Sequence, residues 1–136
     1  LGLAVREDSE NPVYYVQYAH ARICTLLKNL AADGHAVPAC GTVDFSLLTD
    51  PTELALIKQI ANYCDIVRLA ARDYDPSFIN RYLTDLAAAF HKFYNACRIK
   101  GEAEGLLNAR LLLADTARSV LKNGMELIGC SAPEKM

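Results

Sequence analysis

The chain of 136 residues has no tryptophan, only seven glycines and five prolines, and no C-x-x-C pair. Scarce glycine and proline exclude fibrous and low-complexity classes, and the abundant alanine and leucine favour helix. The five cysteines (Cys24, Cys40, Cys64, Cys97, Cys130) are odd in number and widely spaced. That pattern excludes a disulfide framework or zinc ribbon and reads as reduced thiols of a cytoplasmic protein. No apolar run reaches the ~18 residues needed to cross a bilayer, and no stretch reads as a signal peptide, so no membrane partner is expected. G-x-S-x-G, G-x-x-x-x-G-K-[ST], H-E-x-x-H and paired Glu-x-x-His motifs are all missing, so neither a catalytic residue nor a metal site is expected. A large basic excess is missing too: the net charge is −2. A general nucleic-acid binder, or one for DNA, needs more positive charge than that.

What is present describes one helical domain. About half the residues are apolar, sufficient for a core without disulfides or metal. Asn11 followed by Pro12 starts a first helix that runs to about Ala32 and stops at Asp33-Gly34. Asp50, Pro51 and Glu53 form a capping box for a second, with a break near residues 62–65. Asp75 and Pro76 open a third, with apolar Ile79, Leu83, Leu86, Phe90, Phe93 and Cys97, ending by Lys100-Gly101. A fourth spans about Glu102 to Ile128 and stops at Gly129. The expected fold is all-α, an antiparallel helical bundle of four to six helices over residues 11–136. Leu1 to Glu7 alternates like a strand. A lone strand has no partner in a helical domain, so residues 1–10 read as a remnant of a preceding domain.

The charge is uneven. Residues 1–74 carry 6 Lys and Arg against 9 Asp and Glu, whereas residues 81–122 carry 7 against 4. Any nucleic-acid contact is expected to be local and on the second half. Two helix faces lie beside the apolar stripes without belonging to them. On the first helix Tyr14, Tyr18, Arg22 and Thr25 follow at i+4, i+4 and i+3; on the third, Ala87, His91, Tyr94 and Arg98 do so. Each puts a tyrosine one turn before an arginine, a ring and a planar guanidinium suited to an unstacked base. The plainer alternative is that the tyrosines cover core edges and the arginines pair with acids. His20 and Cys24, at i, i+4, form half a zinc site with no second half and read as packing. Arg110, Asp115 and Arg118 read as structural pairs.

Asn11 to Ile23 (NPVYYVQYAHARI) and the ending SAPEKM resemble arginyl-tRNA synthetases, in the C-terminal part of that family. Asp85 to Arg98 (DLAAAFHKFYNACR) and Val120 to Gly129 (VLKNGMELIG) are similar to that family's later helices. Asp115 to Arg118 sits where the family has Asp-Ala-Leu-Arg, with Thr116 and Ala117 in the middle here. The resemblance implies a class I synthetase anticodon-binding domain whose partners are the anticodon loop of arginine tRNA and a catalytic domain of the same chain. It implies that Tyr18 and Arg22 form a base pocket, that Tyr94 meets the loop with Arg98 beside it, and that Met136 closes the protein near Arg22. The family's HIGH-like and KMSKS-like motifs do not occur here. No cofactor is therefore expected on this chain, with ATP and Mg²⁺ belonging to the parent enzyme. A cysteinyl-type synthetase domain and a helical interaction module without RNA remain alternatives.

Overall fold

The computed structural model describes residues 1–8 and 10–136; Ser9, within the stretch read as a domain remnant, lies outside the described residues. Five α-helices carry the fold: α1 (Pro12–Ala32), α2 (Pro51–Ala61), α3 (Tyr63–Asp73), α4 (Ser77–Ala96) and α5 (Glu104–Leu127). No β-strand occurs among the described residues.

Local chemistry sets most boundaries. The Asn11 side chain accepts from Val13 N at 3.1 Å, supplying one of the first-turn donors that a helix leaves without a partner. Gly34, with φ +93°, takes the left-handed turn after α1, and His35 N donates back to Leu30 O at 2.8 Å. The expected capping box is formed: Asp50 accepts from Thr52 N at 2.8 Å, and Glu53 accepts from Asp50 N at 3.4 Å. The break near Asn62 separates α2 from α3. The Asp75 carboxylate accepts from Ser77 N at 3.0 Å to open α4.

Two expectations are corrected. Leu1 to Glu7 is not a strand: Leu3–Val5 is one 3₁₀ turn. The Asn11 amide holds this segment by donating to Arg6 O at 2.8 Å and Ala4 O at 3.3 Å, so these two carbonyls find a partner without a sheet. The helix expected to reach Lys100 stops at Ala96, because Cys97 is extended with φ −118° and ψ 114°. That kink lets Cys97 and Ile99 both turn inward and become buried.

The core gathers on α4. Its whole predicted stripe, from Ile79 to Cys97, is buried, and α4 packs on each of the other four helices. Phe90 and Phe93 meet Ile23 of α1, Leu56 of α2, and Leu111 and Leu121 of α5 in one cluster. Each such fully buried side chain contributes roughly 1.5–3 kcal/mol. Leu127 is exposed at the end of α5.

Directions follow from contacts. Thr52 of α2 touches Cys97 and Gln59 accepts from Tyr82, so α2 runs opposite to α4. Arg110 reaches Arg98 O at one end of α5 while Gly124 packs on Leu83 at the other, so α5 also opposes α4. α1 instead meets α4 in ascending order: Tyr15 with His91, Arg22 with Tyr94, and Asp33 with Lys100. Within the antiparallel bundle, α1 and α4 therefore lie parallel, side by side.

Candidate nucleic-acid interface

The groove between α1 and α4 collects most of the residues singled out by the sequence. The period of α1 places Tyr14, Tyr18, Arg22 and Thr25 on one flank of its buried stripe, and that of α4 does the same for His91 and Tyr94. The two helices run in the same sense, and contacts from Tyr15, Tyr18 and Arg22 to His91 and from Arg22 to Tyr94 bring the two flanks together. Arg22 Nη1 donates to His91 Nδ1 at 3.1 Å, and Arg22 Cζ lies 4.4 Å from the centre of the Tyr94 ring. Tyr94 leans on Phe90 at 6.0 Å. Tyr15 and Tyr18 flank the His91 ring at 5.5 and 6.2 Å.

The tail after α5 supplies the third wall. Gln17 donates to Ser131 O at 3.0 Å, and His20 Nδ1 lies 2.9 Å from Pro133 O. A carbonyl only accepts, so His20 carries its proton on Nδ1. These two bonds lay residues 131–136 along α1 and bring Met136 beside Tyr18. Tyr18, Arg22, Thr25, Asn29, Tyr94 and Met136 line a hollow of about 270 Å³. That is below the ~300–1,000 Å³ of a drug-sized site and fits one flat ring with its substituents. Met136 also borders a second hollow of about 520 Å³ against Tyr14, Gln17 and the Arg6 segment.

Four of the five expected site residues thus meet: Tyr18, Arg22, Tyr94 and Met136. Arg98 does not line the hollow. The chain leaves helical geometry at Cys97, so the one-turn relation between Tyr94 and Arg98 is lost, and Arg98 points to solvent 3.8 Å from Glu102. Tyr94, expected to face outward, is half-buried under Arg22. Met136 is 51% exposed. It stands beside Arg22 without pairing with it: among the described residues Arg22 has no carboxylate within 4.0 Å. Sequence reasoning missed the acceptor role of His91, although its place one turn before Tyr94 marked the right face.

Electrostatics separate Arg22 from its kind. Six of the eight arginines (Arg6, Arg68, Arg72, Arg98, Arg110, Arg118) sit within 4.0 Å of an acid. Arg22 and Arg81 do not, and Arg81 lies over Phe78 outside the hollow. Among the described residues Arg22 has no carboxylate beside it, and it lines the hollow with N–H groups to spare, which suits the carbonyl edge of a base or a phosphate. Burial, and then the charge of Arg22, hold His91 below the ordinary imidazole value. Burial does the same to His20 against the opposing pull of its Pro133 bond. His20 and Cys24 touch each other at 3.8 Å, and no cluster among the described residues is built to hold a metal ion. Asp115 and Arg118 pair along α5 at 2.9 Å.

The sequence model of the DALR anticodon binding domain matches residues 16–136. The chain belongs to this family. Among relatives of this DALR domain, the arginine–tRNA ligase of Ruminiclostridium cellulolyticum is 49% identical over all of this chain, which covers 24% of the relative. That of Acetivibrio thermocellus is 47% identical over the same span and share. The chain thus spans about a quarter of the length of the curated relatives it matches. The solved arginyl-tRNA synthetase of Thermus thermophilus superposes with a TM-score of 0.77 at 33% identity, over 90% of this chain and 21% of that one. The DALR fold and its arginyl-tRNA synthetase relationship agree with the five-helix bundle described above.

Proposed function

We propose that this DALR domain recognises the anticodon loop of arginine tRNA for an arginine–tRNA ligase, whose remaining part charges the tRNA with arginine using ATP and Mg²⁺. The observation that carries the reading is the hollow between α1 and α4, where an unpaired Arg22 and the rings of Tyr18 and Tyr94 surround space for one base. A base stacks on the exposed Tyr18 side while Arg22 donates to its carbonyl edge, and Met136 limits the depth. Arg98, exposed beyond the Tyr94 wall, offers charge to phosphate rather than a surface to a base. Residues 1–10 join the domain to the catalytic part. The protein acts in the cytoplasm with its thiols reduced. Among the described residues no helix is long and apolar enough to cross a membrane.

Filter binding of the full-length protein to arginine and cysteine tRNA transcripts tests the assignment. Tight, selective retention of arginine tRNA is expected. Selective retention of cysteine tRNA would overturn it in favour of a cysteinyl-type domain, and retention of neither in favour of an interaction module. The isolated chain should give no aminoacylation and no pyrophosphate exchange with arginine, ATP and Mg²⁺, since it holds no phosphate-binding motif.

A further inference from the structure

Arg22 faces a conflict common to reading arginines. A long cation needs an anchor to hold one orientation, yet an anchoring carboxylate neutralises the charge it presents. The hollow resolves this without an acid. Arg22 Nη1 donates to the imidazole of His91 at 3.1 Å, and the guanidinium plane is held over Tyr94 at 4.4 Å. Arginine is donor-only, so His91 Nδ1 accepts and the ring is neutral with its proton on Nε2. His91 is itself fixed: Tyr15 and Tyr18 of α1 flank it, and Phe90 stands at 5.9 Å on its own helix. The two residues come from helices 69 positions apart, so this bond is a tertiary device rather than a local helix pair.

We propose that His91 is the positioning residue of the anticodon pocket, a neutral acceptor that sets the direction of the Arg22 fork while leaving its charge for the RNA. The proposal rests on the reading of Arg22 as a base-contacting residue. It predicts that the acceptor at the Nδ1 position matters and that the aromatic ring alone does not suffice. His91→Phe keeps ring volume and loses the acceptor. His91→Asn loses ring volume and places Oδ1 where Nδ1 stood. An acidic anchor, His91→Asp, would hold Arg22 and spend its charge.

The test is binding of arginine tRNA transcript, with wild-type and base-substituted anticodons, to full-length protein carrying Arg22→Ala, His91→Phe, His91→Asn, His91→Asp and Arg22→Ala/His91→Phe. Melting temperature is followed for each. Expected are a loss of about tenfold for His91→Phe, recovery to within about threefold for His91→Asn, and a loss for His91→Asp. The double variant should be no weaker than Arg22→Ala alone, because both changes remove one device. The proposal is overturned if His91→Phe binds like wild type, or if His91→Phe and His91→Asn lose affinity alike in step with their melting temperatures. In either case a lowered Arg22→Ala affinity leaves the pocket reading standing. Wild-type binding by Arg22→Ala itself would sink the pocket reading as well as the role of His91.

Discussion

Two arginines of this domain, Arg22 and Arg110, are both tied across helices, and to opposite ends. Arg110 is 12% exposed and donates through Nε to Glu53 at 2.7 Å, a carboxylate with no exposure at all. Its Nη1 donates to Arg98 O at 2.6 Å. One side chain thus locks the α5 start to the α2 capping box and to the α4–α5 connection, and both carboxylate oxygens of Glu53 have a partner. Arg22 is held instead by a neutral ring nitrogen and an aromatic face, beside open space. The difference teaches how to sort buried arginines: a carboxylate clamp consumes the charge for structure, and a neutral clamp leaves it available.

The largest effect should come from breaking the clamp. Arg110→Met leaves Glu53 buried without its ion partner and is expected to cost about 3–5 kcal/mol of stability. Urea unfolding should show this, while the folded fraction still binds tRNA. Normal stability of Arg110→Met would mean the pair is ornamental. On the other side, Tyr94→Ala should weaken arginine-tRNA binding by roughly ten- to a hundred-fold, from ~1–3 kcal/mol of lost stacking and lost support for Arg22. Tyr94→Phe should keep most of the affinity, since the ring carries the contact. A lowered melting temperature with unchanged affinity would place Tyr94 with Arg110 as a structural residue. A loss of similar kind is expected for Arg22→Ala, together with poorer discrimination among anticodon variants.

The smallest effect is a pH dependence. His20 and His91 are both held below the ordinary value of about 6.5, so the unfolded chain takes up protons first. Their contribution to stability is full above that value and declines as pH falls through it. The melting temperature should drop between about pH 7 and about pH 5, and His91→Asn should flatten part of that slope. A His91→Asn profile as steep as wild type would show that His91 does not titrate with folding.

Much of this was legible residue by residue. Asn11, Asp50 and Gly34 declared helix ends because capping is local chemistry, and the α4 stripe declared its buried face because its period is that of a helix. The candidate faces with Tyr18, Arg22 and Tyr94 were legible for the same reason. Illegible were the facts that need two distant elements at once. Nothing near Glu53 announces Arg110. The parallel alignment that sets Arg22 against His91 depends on how α2, α3 and α5 pack around α4. Arg98 was misplaced because a single extended residue, Cys97, ended the helix without glycine or proline to signal it, driven by burial of Cys97 and Ile99.

The parallel pairing of α1 and α4 also has a kinetic side. Parallel neighbours in a bundle need a long crossover, and here the two halves of the pocket are joined through α2 and α3. Closing so long a loop is entropically slow compared with forming adjacent helix pairs. The Arg22–His91 contact is therefore expected to form among the last, after α2 and α4 have paired. The hollow exists only in molecules whose whole bundle has assembled, so partly folded chains carry no half-made pocket.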